Sequence, residues 1–239
     1  MRPIGFSTGA LAKGDFRRAL RVLREAKVSV VELSALRWWE LEPLAKGIVA
    51  EDLSDFSYIA VHAPSRYERD AERTIVSQLM SLADRGWPVV AHPDTIFDFG
   101  LWKPFRDMLL VENMDMRKHV GRTVTELDRI FASLPDASFC FDVGHARQVD
   151  PTMSEALRLL SSFVSRLRQL HVSEVSSASH HERLTMASTL AFGKLSPFIP
   201  ENVPLILESP VGAADVLWEM RAAADALPSR VSHVETRAP

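Results

Sequence analysis

Eight short apolar runs recur along the chain and constrain its fold more than any other feature: PIGFS (3–7), VSVVELS (28–34), YIAVHA (58–63), PVVAHP (88–93), MLLVENM (108–114), SFCFDVG (138–144), LRQLHVS (167–173) and PLILES (204–209). Several are rich in β-branched residues and their interiors are continuously apolar, the pattern of strands buried on both faces of a parallel sheet. Helix-patterned segments separate most of them. In 15–26, Phe16, Ala19, Leu20 and Leu23 form one apolar stripe behind Asp15 as N-cap. Helices are also predicted over 68–84, 123–134, 153–165 and 212–227, with Thr123 and Glu126 at capping-box spacing. Only 92–108 is weak, because Pro93, Gly100 and Pro104 break any long helix there. Strands alternating with helices eight times predict an α/β fold, a closed (β/α)8 TIM barrel rather than an open doubly wound sheet. The glycine-rich dinucleotide fingerprint is absent.

A chain of 239 residues, 46% of them hydrophobic, suffices for one such barrel, and no linker or low-complexity segment divides it, so a single domain over 1–239 is expected. The formal charge is -3, which gives no global attraction to nucleic acid or to an anionic membrane. The lone Cys140 lies in an apolar strand and is expected to be buried and inert. The opening MRPIGFSTGALAKGD lacks the apolar core of a signal peptide, and no stretch approaches the roughly 20 apolar residues of a membrane span. A cytoplasmic protein with no membrane partner is expected.

The polar residues fall where such a barrel would use them. His62, His92, Glu112, Asp142, His171 and Glu208 each stand at the end of an apolar run, and Glu32 occupies a similar place on the second. In a (β/α)8 barrel all these ends face one mouth, so imidazoles and carboxylates scattered along the sequence would converge. Such convergence is what a divalent cation needs: zinc accepts histidine nitrogen and carboxylate oxygen alike, whereas manganese and magnesium prefer more oxygen. Any one strand-end histidine is more often a hydrogen-bonded core residue than a ligand. Six together point to a metal site. His119 and His233 are read as solvated or structural, His180 and His181 stay ambiguous on a polar connection over 174–200, and Trp38 and Trp39 fit either a wall at the mouth or helix packing.

In order and spacing, VHAPS at His62, VVAHPD at His92, LLVENMD at Glu112, FDVGHA at Asp142 and His145, LHVSE at His171 and LILESP at Glu208 make the chain resemble the xylose isomerase-like TIM-barrel superfamily. That superfamily holds sugar phosphate isomerases and epimerases and also endonuclease IV-type nucleases (AP endonuclease family 2). Its isomerase branch implies one divalent ion held by Glu112, Asp142, His171 and Glu208, with Glu112 and Glu208 as acid and base about an enediolate and His145 touching substrate. Its nuclease branch implies a second ion at His62, His92 and Glu112 and a third at His145 and an Asp-x-His pattern. This chain departs there, since Ser179-His180-His181 replaces the aspartate and leaves His181 as the candidate ligand, while Arg183 is a candidate anion contact.

The cofactor implied is therefore one to three divalent ions of Mn, Zn, Mg, Co or Fe. The leading expectation is an isomerase or epimerase of a small sugar, sugar phosphate or polyol. The alternatives are a multinuclear hydrolase of a phosphoester or other small substrate, and a barrel that binds without catalysis. A small carbohydrate-like molecule is the expected partner, nucleic acid is not, and homo-oligomerisation is left open.

Overall fold

The computed structural model describes residues 2–229. All eight apolar runs form strands: β1 (Ile4–Ser7), β2 (Val30–Ser34), β3 (Tyr58–His62), β4 (Val89–Ala91), β5 (Leu109–Glu112), β6 (Ser138–Asp142), β7 (Leu167–Val172) and, beyond a small hairpin of β8 (Glu174–Val175) with β9 (His181–Glu182), β10 (Leu205–Leu207). The barrel pairs are parallel and close in the order β1-β10-β7-β6-β5-β4-β3-β2, so the single α/β barrel expected from the sequence is present. The expected domain over 1–239 extends past the described residues, and His233 lies outside them.

The helices are α1 (Thr8–Ala12), α2 (Phe16–Glu25), α3 (Trp38–Gly47), α4 (Glu72–Ala83), α5 (Phe99–Trp102), α6 (Val124–Ser133), α7 (Val143–Val149), α8 (Ser154–Phe163), α9 (Met186–Gly193) and α10 (Val216–Ala226). Their starts follow side-chain chemistry. Asp15 accepts from the Arg18 amide at 3.0 Å, as an N-cap should. Half of the expected capping box forms at α6: Thr123 accepts from the Glu126 amide, but Glu126 reaches the Arg122 amide at 2.7 Å instead of that of Thr123. The proline-broken stretch after β4 is held by a buried carboxylate, because Glu72 accepts from the Phe97 amide at 2.7 Å and from the Trp102 indole at 2.9 Å. The connection over 174–200, which reads as loop, contains the β8–β9 hairpin and α9, whose start Thr185 and Ser188 cap reciprocally.

Side chains pointing outward from the strands pack beneath the helices in one large core, with Phe6, Val31, Leu33, Val61, Val111, Phe139, Phe141, Leu170 and Leu205 fully buried. Inside the ring lies a separate small cluster of Val90, Leu110 and Cys140. Cys140 is fully buried and burial pushes its thiol up, as an inert residue requires. No helix among the described residues is long and apolar enough to cross a membrane.

Candidate metal centre

Residues two apart on a strand share a face. Val90, Leu110, Cys140 and Gln169 line the interior, so His92, Glu112, Asp142 and His171, each two residues further on, stand one layer nearer the carboxyl-end mouth. The six strand-end residues converge as expected, and two further histidines join them. Three groups that together hold all eight have candidate ligand atoms within 4.8 Å of one another: Glu112, Asp142, His171 and Glu208; His62, His92 and Glu112; and Asp142, His145 and His181.

Glu112 joins the first two groups through different oxygens. Its Oε2 is 3.2 Å from His62 Nε2 and 3.3 Å from His92 Nε2, whereas its Oε1 is 3.2 Å from His171 Nδ1 and 3.3 Å from His145 Nδ1. Asp142 joins the first and third. Its Oδ1 caps α7 by accepting from the His145 amide at 2.6 Å, which leaves Oδ2 without a hydrogen-bond partner. His171 Nδ1 and Glu208 Oε2 are buried and unpartnered too. Acceptor atoms gathered this closely in a protein interior need a proton or a cation between them. The residues present therefore fit divalent ions, with imidazole and carboxylate as the donor set.

In FDVGHAR the sequence suggests that Gly144 permits a sharp turn, but its φ is not positive, and α7 simply continues β6. The reason for glycine is proximity: a Cβ there would lie 2.5 Å from the Ser173 carbonyl oxygen and 2.7 Å from Val175 Cγ2. Close packing of α7 on β7 brings His145 back over Asp142. Asn113, which sequence reasoning passed over, holds Asp142 from both sides: its amide donates to the Asp142 carbonyl at 2.8 Å and its Oδ1 accepts from the Asp142 amide at 2.8 Å. Its own carbonyl lies 3.0 Å from His145 Nδ1, which selects the ring nitrogen that carries hydrogen.

Of the adjacent histidines, His181 enters the third group and His180 is exposed. The pairing of β8 with β9 sets Val175 opposite His181, and His181 Nδ1 reaches Ser173 Oγ at 2.8 Å and Glu208 Oε2 at 3.6 Å. Ser179, at the place of the expected aspartate, instead bonds to Gln148, leaving three ligands in that group. Arg183, the candidate anion contact, is not gathered with the clusters: its guanidinium pairs with Asp215 at 3.2 Å and lies over Trp218. His119 is exposed as expected. Trp38 and Trp39, at 50% and 55% exposure, are surface residues, and Trp38 lines a shallow hollow of about 270 Å³ with Glu68, Asp70 and Ala71.

The electrostatics follow from burial against mutual attraction. Burial would lower His145, yet Asp142 and Glu112 outweigh it and push it up to about 10. Burial is likewise overcome at His62, which Glu112 and Glu32 raise to about 9. Glu112, despite burial, is held well below the carboxylate range by His171 and His92, while burial raises Asp142 to about 6 and also raises Glu208. His181 is lowered to about 4 by burial and the neighbouring His145. Near neutral pH the metal-free clusters thus hold protons where cations would sit. Adding zinc to metal-free protein in weak buffer at pH 7.5 is expected to release protons, read with an indicator dye; uptake without release would contradict this assignment.

Comparison with solved structures agrees with the (β/α)8 barrel architecture. No protein-family model and no curated protein matches the chain. Among solved structures it is similar to endonuclease IV from Thermus thermophilus, at 20% identity and a TM-score of 0.64 over 95% of this chain and 99% of that one. It is similar also to a xylose isomerase domain protein from Alicyclobacillus acidocaldarius, at 12% identity and a TM-score of 0.66, covering 95% and 98% of the two chains. A xylose isomerase domain-containing protein from Salmonella typhimurium matches at 12% identity and a TM-score of 0.63, again over 95% and 98%. The chain shares the (β/α)8 TIM-barrel fold of these structures.

Proposed function

We propose that the protein is a multinuclear metal-dependent hydrolase of a small phosphoester. The observation that carries this reading is the division of Glu112, one oxygen toward His62 and His92 and the other toward His171 and His145, beside a third group built on Asp142. A carboxylate divided in this way is suited to lie between two ions. Charge balance supports it: three divalent ions exceed the charge of Glu32, Glu112, Asp142 and Glu208, and the excess positive charge suits a phosphoryl group. Bound ions would supply charge to the phosphoryl oxygens and acidify the attacking water. The water oxygen bonds to phosphorus as the bond from phosphorus to the ester oxygen breaks, and Glu208 is placed to take the proton of water and pass it to the departing ester oxygen.

A small substrate is favoured over a nucleic acid strand because four of the cations after the barrel strands are already engaged: Lys118 with Asp94, Arg117 with Asp115, Arg147 with Glu174 and Arg183 with Asp215. The likeness to endonuclease IV from Thermus thermophilus is in keeping with multinuclear hydrolysis, as a likeness of fold.

A second reading has its own observation. Glu112 and Glu208 both face His171 Nδ1, at 3.2 Å and 3.5 Å, and could exchange a carbon-bound proton of a sugar or polyol over a single ion, as an isomerase or epimerase does. Metal analysis together with a panel of phosphoesters separates the two. Two or three ions per chain with phosphate release are expected. One tight ion, with solvent-hydrogen exchange into a ketose and no phosphate release, would replace the hydrolase reading with the isomerase one.

A further inference from the structure

We propose that Glu32 is a positioning residue of the metal centre, fixing His171 as an Nδ1 ligand from beneath. Glu32 on β2 and His171 on β7 come from strands that are not neighbours in the ring, so the contact crosses the barrel interior. Both side chains are fully buried, and His171 Nε2 lies 2.9 Å from Glu32 Oε2. Gln169 Nε2 lies at the same 2.9 Å from His171 Nε2, but the Gln169 amide spends a hydrogen on Glu32 and the carboxylate is the stronger acceptor for an imidazole N–H. With the Nε2 hydrogen donated to Glu32, Nδ1 is left facing Glu112 and Glu208, where a cation would sit. An imidazole ligand needs its other nitrogen held in this way if the ring is neither to rotate nor to change tautomer.

Glu32 is itself held. Gln169 Nε2 donates to the same Oε2 at 2.6 Å, and Tyr58 Oη donates to Gln169 Oε1 at 2.8 Å, which settles the orientation of the amide. The hydroxyl, the amide and the carboxylate therefore form one directed chain from β3 through β7 to β2. Stacking of His62 on His171, with centroids 5.6 Å apart and planes 20° apart, fixes the ring plane from the side.

Glu32 Oε1 has no hydrogen-bond partner, so the fully buried carboxylate is only half satisfied by Gln169 and His171. Cations in the layer above would add attraction for its charge, and the carboxylate–imidazole pair makes Nδ1 a stronger donor.

The inference rests on the metal-binding part of the function proposed above and not on the reaction. Its test is zinc affinity, measured by competition with a chromophoric chelator, in wild type, Glu32→Gln, Glu32→Ala and Tyr58→Phe, beside the melting temperature of each metal-free form. The expected result is zinc affinity lower by about 10-fold in Glu32→Gln and toward 100-fold in Glu32→Ala, the span found for partners of metal-bound histidines. A smaller loss is expected in Tyr58→Phe, and Glu32→Gln is expected to lower the melting temperature of the metal-free form less than that of the zinc-loaded form. Affinity within twofold of wild type in Glu32→Gln would overturn the proposal, as would a fall in its metal-free melting equal to the fall when loaded, since that marks a structural role. If Glu32→Ala does not fold, the isosteric Glu32→Gln and the distant Tyr58→Phe carry the same comparison. Wild type that binds no zinc would instead overturn the metal reading itself.

Discussion

Glu112→Gln is expected to lower phosphoester hydrolysis by on the order of 10³-fold or more, as loss of a preorganised charged group in a catalytic site does. Its metal content is expected to fall at two positions together. Among the described residues Glu112 is the only side chain shared by the His62–His92 group and the group of Asp142, His171 and Glu208, and an amide offers one weaker acceptor where the carboxylate offers two charged oxygens. The substitution keeps the volume of a fully buried residue, so the barrel should survive it. Metal content by mass spectrometry and kcat on the same preparation check the expectation. Undiminished content with activity within about tenfold of wild type would remove Glu112 from the centre.

The second large effect is on stability. Free ion at about 1,000 times the dissociation constant adds about 4 kcal/mol to the folded state. For a chain of this length each kcal/mol corresponds to about 2–4 °C, so chelation is expected to lower the melting temperature by roughly 8–16 °C. The size of the drop should depend on pH. His62 and His145 have folded-state values raised to about 9 and about 10, above the ordinary imidazole value. Their contribution to the metal-free fold is therefore complete below about pH 6.5 and lost as pH rises through those values. Chelated protein should thus weaken between pH 7 and pH 10 while loaded protein does not, widening the gap. Thermal melts with and without chelator at several pH values would show it, and a gap that narrows with rising pH would refute the assignment.

The barrel was legible because a strand buried on both faces writes itself as an unbroken apolar run, and eight such runs leave few topologies. The ligands were legible for a related reason: a charged residue closing such a run has nowhere to go but the mouth. Gln169 and Tyr58 were not, since inside LRQLHV and YIAVHA they look like ordinary strand polarity. The signal that would have found Gln169 is its spacing, two residues before His171 and so on the same face. Asn113 was hidden beside the more conspicuous Glu112. Choosing His181 over His180 required the register of β8 on β9, because adjacent residues on a strand point to opposite sides and sequence alone does not say which side is inward. The role of Gly144 was beyond the sequence because it depends on the distance to Ser173, a residue of the link between β7 and β8.

The eight gathered side chains are not equally entangled with the rest of the molecule. His62, Glu112, Asp142 and His171 belong to barrel strands, His92 and Glu208 directly follow others, and His145 stands in the first turn of the helix that continues β6. Each of these seven is tied to the scaffold as well as to the chemistry. His181 sits apart, on a two-residue strand paired only with β8, outside the closed ring. Reactivity could thus diverge at this one position while the architecture stays constant, which makes the hairpin the natural place to graft a different ligand and redirect the barrel to new substrates.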